Sequence, residues 1–386
     1  MRKRLLSILL AVCLMLTLAP AAFAVDADTA TNSITVTTED ALQNAVAADA
    51  TYDMVTLGSD ITLTGTLTIG HGVTLYGGAD KHTLTYNGTE AAGAVSINTP
   101  DPVVMDSLIV TVTNASTRGI KLATTSPKFT FSNSVLNACY RGIWVDVSCD
   151  ANSIITVSNS TIQNNQIPEG KTYDTWSYLG DARGIALWDM NDSKVEVLNS
   201  SILGFGYSIN LAGTMDDNGI RDYNNTDVIV TNSTIKGWTA FNVWSAKTIF
   251  TITNSTLVGI NTSNGYWDGF ATIVVNDDIY NYGWGGADAN VFNIYGGTIT
   301  CYRTGATSEQ LFRVDNQGIT KVNFNKYNRR TNVSIVDGTG DSEAVFYSGY
   351  EKTPDDWSTY MNAHVTGSEN CTLTGYDGAT LAFIPD

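Results

Sequence analysis

Asp146 and Asp189 each follow a short apolar segment of the same form, Arg141-Gly-Ile-Trp-Val145 and Arg183-Gly-Ile-Ala-Leu187. Two carboxylates at the same end of neighbouring strands are the groups that glycoside hydrolysis needs, one to protonate the leaving oxygen and one to activate water or attack. Arg118, Arg141 and Arg183 open three equivalent segments and align at the other end. Asp146, Asp189 and Arg183 are therefore the candidate catalytic groups. The competing reading of the arginines is a stacked turn whose cations are paired with carboxylates.

Aromatic rings gather around the same segments, which recur as Arg118-Gly-Ile-Lys-Leu122, Tyr207-Ser-Ile-Asn-Leu211 and Ala240-Phe-Asn-Val243. If Ile120, Ile143, Ile185, Ile209 and Phe241 face inward, period-two alternation sends Lys121, Trp144, Ala186, Asn210 and Asn242 outward. Two places on, Ala123, Asp146, Trp188, Ala212 and Trp244 face out as well. Long insertions flank this strand: 163–182 and 260–269 before it, with Tyr173, Trp176, Tyr178, Tyr266 and Trp267, and 213–227 and 277–290 after it, with Tyr223, Tyr280, Tyr282 and Trp284. Flat rings beside Asn210 and Asn242 suit the apolar faces and hydroxyl edges of sugars. Alternatively the loops fold down and the rings pack on one another.

These segments are held by a repeat: alternating apolar residues, Asn-Ser, any residue, then Ile or Leu. It is seen in Phe129-Thr-Phe-Ser-Asn133-Ser-Val-Leu136, Ile155-Thr-Val-Ser-Asn159-Ser-Thr-Ile162, Val195-Glu-Val-Leu-Asn199-Ser-Ser-Ile202, Val228-Ile-Val-Thr-Asn232-Ser-Thr-Ile235 and Phe250-Thr-Ile-Thr-Asn254-Ser-Thr-Leu257. Weaker copies carry Asp106-Ser107 and Gly296-Gly297. Spacings of 27, 26, 40, 33, 22 and 42 residues exclude a helical hairpin array and suit a coil of about 22 residues that accepts insertions. One coil cannot bury its own apolar side, whereas stacked coils can. Stacking aligns Asn133, Asn159, Asn199, Asn232 and Asn254 about 4.8 Å apart, where a hydrogen-bonded amide ladder is expected.

With these turns, residues 55–385 resemble the right-handed parallel β-helix proteins of the pectin-lyase-like superfamily, here in the form of a secreted bacterial repeat protein. The resemblance implies coils of three strands and polysaccharide bound along the strand face described above. It also implies a second enzymatic route, β-elimination by an arginine base with an Asp-held Ca²⁺, as in pectate lyase relatives. The superfamily holds lyases, hydrolases, esterases, tailspikes and adhesins, so it narrows fold far more than activity. Gly70-His71-Gly72 is similar to a polygalacturonase motif but stands ahead of every acidic candidate, and it reads as a turn.

Met1–Ala24 has Arg2-Lys3-Arg4, an apolar run and Ala22-Phe23-Ala24, the pattern of a secretory signal peptide. The expectation is a secreted or cell-surface protein with no integral membrane span, acting as a monomer. A net charge of −17 disfavours nucleic acid as a partner. With three histidines, zinc sites and a Ser-His-Asp triad are not expected. No cofactor is required by any motif; Ca²⁺ is the one candidate, through Asp216-Asp217, Asp277-Asp278 or Asp355-Asp356. Cys139 and Cys149 bracket an extended strand and should not bond, Cys139 being a core residue, whereas Cys301 with Cys371 is undecided.

Thr38-Glu39-Asp40 followed by Ala41, Leu42, Ala45 and Val46 predicts a capped helix that plugs the open end of the stack. The fold expected is all-β: a right-handed parallel β-helix over 55–386, with its last coils and a cap after residue 305, preceded by a segment 25–54 carrying the capping helix. Two functions remain in view. One is non-catalytic binding of a polysaccharide or cell-surface glycan through Trp144, Trp188, Trp244, Asn210, Asn242, Tyr173, Trp176, Trp267 and Trp284. The other is a polysaccharide lyase or glycoside hydrolase in the same groove.

Overall fold

The computed structural model describes residues 32–145, 147–178, 180–213, 225–244, 247–261, 271–276, 290–303, 312–315, 321–325, 333–337, 346–348, 365–367, 370–374 and 383–385. The chain winds as a right-handed parallel β-helix. A representative coil runs Lys128–Ser132, Val135–Ala138 and Arg141–Val145; the next runs Ile154–Ser158, Thr161–Asn164 and Arg183–Trp188. Each strand pairs in parallel with its counterpart one rung on, which builds three sheets. In later coils one strand, such as Ser201–Ala212, bends through the corner from the second sheet to the third, with a register irregularity between Leu203 and Phe205.

Alternation fills the interior. Phe131, Val157, Val197, Val230, Ile252, Ile294 and Phe324 form one in-register column, and all are buried. Ile120, Ile143, Ile185, Ile209 and Phe241 form another, as alternation required. Farther along, the Phe250 and Phe292 rings stack at 4.2 Å and 2°, and Phe241 meets Phe250 edge-on at 5.5 Å.

The turn between the first two sheets shows why Asn recurs. Asn133, Asn159, Asn199, Asn232 and Asn254 have φ between 47° and 50°, the left-handed region that Asn enters more easily than most residues. Ser107 and Gly296 take the same place in the weaker copies, with φ of 54° and 71°. The amide ladder itself needs correction. Asn133 donates to Asp106, Asn232 to Asn199 and Asn254 to Asn232, but no such bond joins Asn159 to Asn133 or Asn199.

The unbroken column belongs to the next residue. Ser134, Ser160, Ser200, Ser233 and Ser255 are buried, and each Oγ accepts from a backbone N–H one rung back, at 3.0–3.1 Å, from Leu108, Ser134, Ser160, Ser200 and Ser233 in turn. Each hydroxyl also donates to the carbonyl two residues before it. The amide column is interrupted at Asn159, while the equally exposed Asn199, Asn232 and Asn254 bond in series; the buried hydroxyls bond at every one of these rungs. A matching turn enters the first sheet: Asn152, Asp192, Asn225 and Lys247 have positive φ, and the buried Ser153, Ser193, Thr226 and Thr248 follow them.

The helix spans Glu39–Ala45, one turn after strand Ser33–Val36, with Thr38 Oγ1 accepting from the Ala41 N–H and with Leu42 and Ala45 buried. Glu39 ties it to the coil beneath: its carboxylate accepts from the Thr64 N–H, the Thr64 hydroxyl and the Gly65 N–H. Burial works against ionisation, but these hydrogen bonds outweigh it and hold the pKa below the usual 4.5. A lowered carboxylate pKa contributes stability above the unfolded value, and that contribution is lost as pH falls through the folded value. Glu39→Gln should therefore lower the melting temperature at about pH 6, and the gap should shrink by about pH 3. A gap unchanged across that range would mean that the charge has no part in the clamp. His71 makes a related stitch, its ring nitrogens facing the carbonyls of Ala47 and Tyr52 at 2.8 and 3.0 Å, and so it lies in a turn.

Cys139 and Cys149 are both buried and unbonded to each other. Cys139 Sγ donates to Asn165, and burial pushes the Cys149 thiol up to about 11. Cys301 stands in register with Asp337, and Cys371 with Val333. Four residues and two rungs thus separate their backbones, about 13 Å along the strands and about 10 Å across. Beyond Gly297 the described strands keep to the same three sheets as far as Phe383–Pro385. No helix among the described residues is long and apolar enough to cross a membrane.

Candidate functional site

The outer face of the third sheet carries two columns. In the first, Lys121, Trp144, Ala186, Asn210, Asn242 and Val274 stand in register. In the second, Trp188 pairs with Ala212 and Ala212 with Trp244. The strands place them this way because Arg-Gly-Ile opens the segment: a Cβ on Gly142 would lie 2.3 Å from the Gly184 carbonyl, so only glycine lets the coils close here. No family model, curated protein or solved structure matches this chain. Its site is therefore read from its own geometry.

Trp144 is half-buried, with two cations of the preceding strand over its ring, the Arg118 guanidinium 4.2 Å and the Lys121 ammonium 4.9 Å from the centroid. Those contacts compete with a sugar for the ring surface. Trp188 and Trp244 are half-buried, and the Trp244 indole N–H donates to Asn242 Oδ1 at 3.1 Å. Asn242 Nδ2 in turn donates to Asn210 Oδ1 at 2.8 Å. Both asparagines are buried, so this outer amide pair is better shielded than the turn amides.

Two of the three arginines, Arg141 and Arg183, form a carboxylate-paired stack, whereas Arg118 donates to the Ala91 carbonyl. Asp181 places one oxygen 2.6 Å from Arg183 and the other 2.7 Å from Arg141. Arg141 also donates to the Asp181 carbonyl and lies over the Tyr140 ring at 3.9 Å. Burial, helped by the like charge of Arg141, pulls the Arg183 guanidinium down from its ordinary value while Asp181 opposes the shift. That direction suits a base, yet the group is held by an ion pair. Asp181 and Tyr140 were not singled out from sequence; the signal was an Asp two places before the third Arg-Gly-Ile, inside an insertion.

Asp189 is 3% exposed with φ of 46°, and its backbone joins the neighbouring rungs, N–H to the Ala212 carbonyl and C=O to the Cys149 N–H. Its place is a turn station at the strand's end. Asp146, Trp267 and Trp284 lie outside the described residues, as do the three acidic pairs considered for Ca²⁺. Among the described residues no three His, Cys, Asp or Glu side chains converge as metal ligands would.

Loop residues 173–177 fold down on the corner of the second and third sheets. Tyr173 and Trp176 lie against Gly204, where a Cβ would sit 2.6 Å from the Tyr173 ring. The Tyr173 hydroxyl donates to the Asn164 carbonyl, its acidity weakened by burial, and Ser177 donates to the Phe205 carbonyl. Lys236 pairs with Asp174 on the same loop. Both rings pack at this corner, eight residues before Ala212, the register partner of Trp188, so they lie at the opposite end of the third-sheet strand from the tryptophan column expected to share a groove with them.

Proposed function

We propose that this protein is exported and binds a polysaccharide or cell-surface glycan through the outer face of its third sheet, without turning it over. The observation that carries the reading is the Trp188, Ala212, Trp244 column beside the buried Asn210 and Asn242 pair. Indoles offer apolar platforms and carboxamides offer hydroxyl partners, and both stand on rigid strands. The lyase or hydrolase alternative draws less support: Arg183 is committed to Asp181, and Asp189 serves a buried turn. The leading pattern of Met1–Ala24 supports export.

Two measurements test the proposal. Incubating the protein with a polysaccharide panel, with and without Ca²⁺, should release no new reducing ends and no unsaturated products. Turnover that Asp189→Ala abolishes would replace binding by catalysis. Trp188→Ala should lose retention on the retaining glycan with its melting temperature unchanged; unchanged retention would remove this face from the reading.

A further inference from the structure

We propose that Asn87-Gly88 is a self-modifying site, where the asparagine closes on the following backbone nitrogen to a succinimide and opens to aspartate and isoaspartate, while the fold keeps the turn asparagines inert. The pair follows the strand Thr83–Tyr86, on the link from the second sheet to the third. Asn87 is exposed and Gly88 half-buried.

Ring closure needs an unengaged backbone nitrogen beside the carboxamide, and neighbours in the chain meet without a search. The Gly88 N–H has no partner among the described residues, and glycine puts no side chain in the way of attack. A Cβ there would lie 2.4 Å from the hydroxyl of the buried Tyr86, so the fold keeps the glycine. The Thr113 hydroxyl donates to Asn87 Oδ1 at 2.9 Å. Negative charge develops on that oxygen as the nitrogen attacks, and a donor already aimed at it lowers the barrier.

The steps balance with water alone. Hydroxide takes the Gly88 N–H proton, the nitrogen bonds to Asn87 Cγ, the Cγ–Nδ2 bond breaks, and ammonia leaves with a proton from water, which restores the hydroxide. Water then opens the ring. Breaking the new Cγ–N bond gives aspartate; breaking the backbone C–N bond gives isoaspartate, with one methylene added to the main chain.

The turn asparagines are built the opposite way. Asn133, Asn159, Asn199 and Asn232 precede the buried Ser134, Ser160, Ser200 and Ser233, whose N–H groups donate to the serine hydroxyl of the next rung at 3.0–3.1 Å. Taking such a proton breaks the bond and leaves a charge where it is poorly solvated. The serine column therefore protects the chain chemically as well as joining its rungs.

Ageing the folded full chain in mildly alkaline buffer tests the site, read by peptide mass spectrometry with fragmentation that separates aspartate from isoaspartate. Asn87 should convert to both acids, faster as pH rises, while Asn159 and Asn199 keep their amides. In urea Asn159 and Asn199 should convert about tenfold faster or more, whereas Asn87 should stay within about threefold of its folded rate. Thr113→Val should slow Asn87 about tenfold in the fold and leave its rate in urea unchanged, and Thr113→Ser should restore it. An Asn87 that keeps its amide, or that the fold slows about tenfold, would overturn the site, and neither result needs a variant. Folded conversion of Asn159 at its urea rate would overturn the protection. Wild-type ageing of a Thr113→Val chain with an unchanged melting curve would overturn the part given to the hydroxyl.

Discussion

Phe250→Ala should cost about 3–5 kcal/mol, the range for deleting a large buried aromatic side chain. Phe250 is fully buried, stacked on Phe292 in the next rung and edge-on to Phe241 across the coil. Alanine would therefore open a cavity with aromatic walls on two sides, and rigid strands leave little room for collapse. Because each rung touches only its neighbours, the damage should be local. Hydrogen exchange should lose protection in the rungs of Val228, Phe250 and Phe292, which are consecutive in register, while the Phe129 and Ile155 rungs keep theirs. A cost under about 1 kcal/mol would mean that the three rings do not form a packed unit.

Ser200→Ala should cost about 1–3 kcal/mol, because it strands the Ser160 N–H in the interior and frees the Leu198 carbonyl. Asn199→Gly makes the natural comparison. Glycine takes a φ of 48° without strain, and the amide it removes is exposed. Its effect should be the smaller of the two in urea unfolding. Should Asn199→Gly prove the more damaging, the exposed amides rather than the buried hydroxyls would be what joins the rungs.

The architecture was legible because its cause is local. Apolar residues at every second position and an Asn at the left-handed turn can be read directly, and they placed Ile143, Ile185 and Ile209 inside and Trp188 outside. The amide ladder was legible in position but not in bonding. Sequence does not say whether Asn159 or Ser160 is shielded from water, nor which of the two side chains reaches the next rung. The second turn was missed because Asn152, Asp192, Asn225 and Lys247 share a backbone angle and not a side-chain type. At the candidate site, alternation gave the face of Trp144 but not its neighbours. Arg118 reaches it from the start of the preceding rung, a contact that depends on how a long side chain lies.

Length variation in this chain is confined. The link from the first sheet to the second is two residues in coil after coil, as between Ser158 and Thr161 or Leu198 and Ser201, while the long insertions border the third sheet on both sides. Evolution can thus exchange the scenery around one wall of the molecule without renegotiating the interior. A library of loop grafts at those two borders should yield folded proteins of differing taste for ligands, whereas one residue added between Ser158 and Thr161 should not fold.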